Sequence, residues 1–179
     1  GFLPALNIVG EKERGTIEQI NVTPIGRFAF IFSKLIPYWA VGLFILSYSM
    51  LLTRLIYGYV PAGNIGLIYL FATLFILVVS SLGLIVSNYS DTAQQAALVM
   101  FFFLVIFILL SGLLTPIASM PRWAQTITFL NPLRYFIEVM RSLYLKGSTF
   151  HDLLPNFHAL SLYAILAWIW AIWSYRKVE

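Results

Sequence analysis

Four stretches of this chain are long, apolar and almost free of charge: residues 35–53, 65–87, 92–114 and 157–175, of which only the last holds a histidine, His158, near its start. An α-helix rises 1.5 Å per residue and the hydrocarbon core of a bilayer is about 30 Å thick, so on the order of 20 apolar residues cross it. Water could not solvate such runs side by side, and a backbone in lipid must satisfy its own hydrogen bonds, which a helix does. The expectation is an all-α, polytopic membrane protein with about four complete transmembrane helices. Composition agrees, with 60% hydrophobic and 10% charged residues among 179, where soluble domains carry about a quarter charged. Residues 1–10 are apolar but too short to span. They are expected to be the end of a further transmembrane helix.

Local signals set the expected boundaries. Thr23 before Pro24 is a helix cap followed by a favoured first position, which starts the first complete span at 24–53. Pro61, Gly63 and Asn64 break the chain before the second, and Tyr57 and Tyr59 stand there, where amphipathic rings suit the headgroup region. Asp91 with Gln94 three residues on resembles a capping box opening the third. Residues 115–147 differ from the rest. Pro116 and Pro121 punctuate them, Asn131-Pro132 supplies a cap and a first helical position, and Gly147 is a helix stop. This region is expected to form short re-entrant or interfacial helices. Arg134, Glu138 and Arg141 share one face of it at i, i+4 and i+7, and the expectation is a structural ion-pair cluster. The sharper alternative gives Glu138 a part in gating substrate release, because ionisable groups near the membrane are often functional.

Several function classes find no support. The net charge is +4, but the cations flank apolar runs instead of forming a stripe, so nucleic acid is not an expected partner. Cysteine is absent, which removes disulfides and thiolate metal sites. No Gly-rich phosphate loop occurs, so the chain itself is not expected to bind or hydrolyse ATP. His151, Asp152 and His158 are poorly spaced for one metal, and no catalytic nucleophile or acid/base pair stands out. Ser80, Ser81 and Ser111 suit interhelical packing, Trp168, Trp170 and Trp173 suit lipid-facing anchors, and Phe101, Phe102, Phe103 and Phe107 are either ordinary packing or an apolar binding surface. Lys12, Arg14, Arg27, Lys34, Arg176 and Lys177 on one side nearly balance Arg54, Arg122, Arg134, Arg141 and Lys146 on the other. The positive-inside rule therefore leaves orientation open.

The most informative segment is 11–23. An apolar helix runs into Glu11, Lys12, Glu13 and Arg14, Gly15 breaks it, and Thr16 with Gln19 makes a capping box for a short helix that also carries Glu18. From the residues alone, this is either a solvated surface loop or a capped polar handle that a soluble partner pushes. The run Glu11-Lys12-Glu13-Arg14-Gly15-Thr16-Ile17-Glu18-Gln19-Ile20, then Val22-Thr23-Pro24-Ile25 and Lys34-Leu35-Ile36-Pro37-Tyr38, closely resembles the permease subunits of type-2 ABC exporters. A second block matches independently: Ser111-Gly112-Leu113-Leu114-Thr115-Pro116, Met120-Pro121-Arg122-Trp123, Leu130-Asn131-Pro132-Leu133-Arg134-Tyr135 and Arg141-Ser142-Leu143-Tyr144-Leu145-Lys146-Gly147.

That resemblance implies a permease that moves substrate across the membrane with ATP and Mg held by a separate ATP-binding subunit. It also implies a second permease subunit, homo- or heterodimeric, and a multi-pass location in a bacterial inner membrane. It makes 11–23 the cytoplasmic coupling segment, with Glu11, Lys12, Glu13, Arg14, Gly15, Thr16, Glu18 and Gln19 facing the ATPase subunit. Residues 115–147, with Asn131, Pro132, Arg134, Glu138 and Arg141, become extracytoplasmic re-entrant helices. The likeness is strongest to the multidrug branch, and drugs, lipids and glycan-like molecules stay open as substrates. Gly10 departs from the pattern, standing where the family usually has a basic residue. The family's first helix and external region have no counterpart here, so the expectation is a C-terminal portion. The alternative is a truncated, non-transporting scaffold or regulatory subunit.

Overall fold

The computed structural model describes residues 1–14 and 27–174. The expected caps at Thr16–Gln19 and Thr23-Pro24 lie outside those residues. Among the described residues the chain forms seven α-helices and no strand: α1 (Phe2–Glu13), α2 (Arg27–Tyr57), α3 (Ile65–Tyr89), α4 (Ala93–Leu109), α5 (Arg122–Thr128), α6 (Pro132–Arg141) and α7 (Leu154–Ser174). Three helical stretches are long and apolar enough to cross a membrane, Phe32–Tyr57, Ile65–Tyr89 and His151–Ser174, and α4 is a shorter apolar helix. The chain is a multi-pass helical membrane protein.

Helix α3 is the axis of the packing. Over half of its apolar window is buried, against almost none of α2's, and its most extensive contact is with α7, then with α1. In lipid the apolar effect does not drive helices together, so small residues that let backbones approach closely decide the interfaces. Along α3 these are Ser80, Ser81, Gly83 and Ser87. The serine hydroxyls donate to carbonyls one turn back, Ser81 to Leu77 at 2.7 Å and Ser87 to Leu84 at 2.7 Å, so they are satisfied without reaching outward. At Gly83 a β-carbon would stand 2.3 Å from the carbonyl oxygen of Gly1. There α1 and α3 meet backbone to backbone.

Three apolar clusters follow from this arrangement. Ala5, Val9, Val86, Ala96 and Met100 join α1, α3 and α4. Ile8, Leu35, Leu84, Ile85 and Ala171 join α1, α2, α3 and α7. Ile68, Phe71, Val139, Leu143, Leu153 and Leu160 join α3, α6 and α7. Trp168 packs against the second cluster, with its ring 6.3 Å from that of Trp39. It is half-buried, with one side against that cluster, whereas Trp170 and Trp173 are exposed, as expected of lipid-facing or interfacial anchors. The i to i+2 step along a helix turns Trp168 toward Trp39 while its neighbours face out.

Two boundaries differ from the sequence expectation. The stretch 92–114 is not one continuous helix: α4 stops at Leu109 after 17 residues, about 25 Å of helix. Ser111 and Gly112, the latter at φ +80°, turn the chain. Residues 110–114 are nearly all apolar, so hydropathy does not reveal this turn. The N-cap is Thr92, whose side chain accepts from Gln95 N at 3.2 Å, in place of Asp91. The Asp91 amide instead donates to Gln95 Oε1 at 3.1 Å, which moves the box one residue along.

Glycine chemistry yields a paired prediction. Gly10 lies inside α1 with open space around its missing β-carbon, so Gly10→Ala should stabilise the protein by about 0.5–1 kcal/mol. Gly83→Val should destabilise it by about 1–3 kcal/mol, because α1 must move off α3. Thermal unfolding in detergent measures both. Equal shifts would show that the α1–α3 approach is not tight.

Candidate functional site

Helix α1 does not end at Gly10 but continues through Glu13, so Glu11, Lys12 and Glu13 occupy its last turn. Successive residues on a helix point about 100° apart, and these three side chains reach three different elements. Glu11 forms an ion pair with Lys34 of α2, with both side chains largely shielded from solvent. The Lys12 ammonium donates to the Ser90 carbonyl at 3.1 Å and meets the Asp91 carboxylate at 3.3 Å. The Glu13 carboxylate accepts from the Ala93 amide at 2.9 Å.

The second and third contacts complement backbone dipoles. A helix gathers positive partial charge at its N-terminus and negative at its C-terminus. Helix α3 has no basic residue in its last turn and α4 has no acidic residue in its first. Lys12 supplies the missing cation beside the end of α3, and Glu13 supplies the missing anion at the start of α4. Nearby, the Asn88 amide donates to Ala171 O at 3.2 Å and to Ser174 Oγ at 2.8 Å, closing the last turn of α7. One end of the bundle is therefore a polar junction, where helix ends are satisfied by other helices. Arg14 follows as the exposed C-cap residue of α1. The expected coupling residues Gly15, Thr16, Glu18 and Gln19 lie outside the described residues.

At the opposite end, the backbone amides of Ala62 and Gly63 donate to the carbonyls of Tyr144 and Leu143, at 3.4 and 2.8 Å. Those carbonyls sit in a widened π turn, Ser142–Lys146, that follows α6 and closes on Gly147 at φ +63°. Asn131 is buried and works twice: its oxygen accepts from Leu133 N at 3.0 Å, capping α6, and its amide donates to Phe107 O at 2.8 Å. Pro132 takes the first position of α6.

The expected ion-pair cluster does not form. Arg134 donates to Thr128 Oγ1 at 2.5 Å and lies over the Phe129 ring at 4.3 Å, and Arg141 donates to Gly112 O at 3.0 Å. Glu138 is exposed, and neither arginine is its salt-bridge partner. Carbonyls and a hydroxyl left open by the irregular chain around α5 draw the guanidinium groups more effectively than an exposed i,i+4 carboxylate does.

Two residues central to this cap carried no sequence signal. The Phe129 carbonyl accepts from Tyr135 Oη at 2.9 Å and from Tyr163 Oη at 2.7 Å, fastening α5 to α6 and α7. A carbonyl acceptor has no residue-specific mark, so only the fold identifies it. Of the phenylalanines, Phe101, Phe102 and Phe103 are exposed, and Phe103 and Phe107 line a partly open apolar pocket of about 320 Å³ together with Gly1, Phe2, Phe75 and Met100. Asp152 accepts from Thr149 N and Oγ1, both at 2.8 Å, a local cap ahead of α7.

The model of the ABC-2 family transporter proteins matches residues 1–173. The "Probable multidrug ABC transporter permease YbhR" of Escherichia coli is 31% identical over 148 residues, which is 83% of this chain and 40% of that protein. YbhS of the same organism, named likewise, is 33% identical over 151 residues, 82% of this chain and 39% of that protein. The "Inner membrane transport permease YhhJ" of Escherichia coli is 29% identical over 162 residues, 88% and 42% respectively. The chain thus spans about two-fifths of the length of these relatives.

The junction predicts a graded response. Glu11→Gln leaves Lys34 facing a neutral amide in a shielded site and should cost about 1–3 kcal/mol. Asp91→Asn removes an exposed charge and should cost less than about 1 kcal/mol, with a difference that vanishes at high salt. Unfolding midpoints at low and high ionic strength check the ranking.

Proposed function

The chain belongs to the ABC-2 family of transporter proteins, and on that premise we propose that it is the C-terminal membrane portion of an exporter permease driven by a separate ATP-binding subunit. The observation that carries this reading is the junction. The last turn of α1, which residues 15–26 follow in the chain, is tied to α2, to the end of α3 and to the start of α4. A force applied to that segment is delivered to three helices at once. This is what a coupling element must do, and Glu11, Lys12 and Glu13 are the residues that do it, with Arg14 exposed beside them toward the partner.

In this reading ATP and Mg belong to the partner subunit, residues 15–26 meet that subunit on the cytoplasmic side, and a second permease copy completes the path in a bacterial inner membrane. The helices of residues 115–147 then lie on the outer side. The names of the relatives point to multidrug and general transport permeases. The apolar lining beside Phe103 and Phe107 favours an apolar cargo, drug-like or lipid-like, over a glycan.

Reconstitution of the full-length permease with its ATPase subunit tests the reading. Reversing the charges at Glu11, Lys12, Glu13 and Arg14 should lower transport per ATP hydrolysed by about ten-fold or more, the effect of losing roughly 1.4 kcal/mol of coupling. Unchanged coupling in that variant would overturn the assignment, as would labelling of residues 15–26 from outside the cell.

A further inference from the structure

Helix α4 is held at both ends by polar contacts from other elements, and along its sides by apolar ones. At the junction end, Glu13 accepts from Ala93 N and Lys12 holds the preceding turn through Ser90 O and Asp91. At the other end, Asn131 donates to Phe107 O, and Arg141 donates to Gly112 O in the turn that follows α4. Between these grips, every residue from Ala96 to Leu110 is apolar, and no glycine or proline occurs from Ala93 to Leu109. Kinks in helices arise at such residues or at inserted side chains, so α4 has no built-in bending point. In contrast, α2 contains Pro37 and Gly42, and α3 contains Gly66 and Gly83.

Apolar contacts have no direction, so they resist sliding of a helix along its axis less than hydrogen bonds do. Only Ala96 and Met100 of α4 are buried, both in its junction half. Phe101, Phe102, Leu104 and Leu109 are exposed. The axial position of α4 is therefore set by its two ends, and those ends belong to different structures: the charged turn of α1 and the cap built on α6.

We propose that α4 is an axial rod that carries displacement of the α1 turn to the opposite cap, with Asn131 and Arg141 as the positioning residues that receive it. The proposal rests on the coupling role given to the α1 turn above. It adds the route and the two receiving side chains. Asn131 moves with α6 because its oxygen caps that helix, and Arg141 is the last residue of the same helix. A shift of the Phe107 carbonyl and of the 110–112 turn thus displaces α6 at both of its ends.

The test uses the full-length permease with its ATPase subunit in liposomes, any cysteines outside this stretch replaced, and Ala118→Cys as a reporter. Residue 118 is exposed in the cap, and the chain has no cysteine of its own. The readout is the rate of labelling by a membrane-impermeant maleimide with and without trapped nucleotide. Asn131→Ser keeps a capping oxygen but is too short to reach Phe107 O, and Arg141→Met keeps the stem without the donor. In the double variant the nucleotide-dependent change in labelling should shrink about five-fold or more, the low end of coupling between sites, with the bound ATPase subunit undiminished. Arg141→Lys, which retains a donor, should restore part of it. If the double variant does not reach the membrane, Arg141→Met alone carries the test, since that side chain is exposed. A labelling change equal to wild type in the variants, or no nucleotide response in a wild type that binds its ATPase subunit, overturns the rod. A wild type that binds no ATPase subunit overturns the coupling reading itself.

Discussion

A helix that ends where water is scarce leaves up to four amides or carbonyls without partners, and in this protein those groups are answered by other helices. The α1 turn is the principal case. Lys12 and Glu13 are adjacent in sequence yet serve opposite dipole ends, the C-terminus of α3 and the N-terminus of α4. Asn88 does the same for α7, and Asn131 for α4. An unsatisfied group costs most where water is excluded, as at the buried Asn131, whereas the Glu13 contact with Ala93 lies exposed.

This pattern separates two kinds of cohesion. Along their lengths the helices meet through small residues and non-directional contacts, as where Gly83 of α3 approaches the backbone of α1. Helix α2 is joined to α3 through Trp39 to Ser80 at 3.0 Å and Ser47 to Tyr69 at 2.6 Å, with Gly42 facing Ile76. At their ends they meet through directional hydrogen bonds. Nothing in the described residues converges as an acid/base pair or a nucleophile with its base.

Much of this was legible in the residues. Asn64 before α3, Asn131-Pro132 before α6 and Gly147 after it read correctly as punctuation, because a cap acts on its own neighbours. Resemblance to the exporter permeases was legible too, carried by two motif blocks. The end of α4 was not, because residues 110–114 are as apolar as the helix before them. Nor was the fate of Arg134 and Arg141, whose spacing to Glu138 suggested ion pairs that the Gly112 carbonyl and Thr128 pre-empted. Phe129 and Tyr163 were invisible as a hub, since the acceptor is a backbone oxygen.

Hydropathy and local capping are properties of contiguous residues. For that reason the amino-acid order alone determined that this is a multi-pass helical bundle, where α3 and α6 begin, and which charged turn was worth watching. Only the tertiary structure decided that Glu11, Lys12 and Glu13 part company toward three different helices, that Trp168 turns one side to Trp39, and that α4 is gripped at both ends. Those outcomes depend on pairings between residues far apart in the chain. Their acceptors are largely backbone atoms that every residue carries, so no pattern of side chains could announce them.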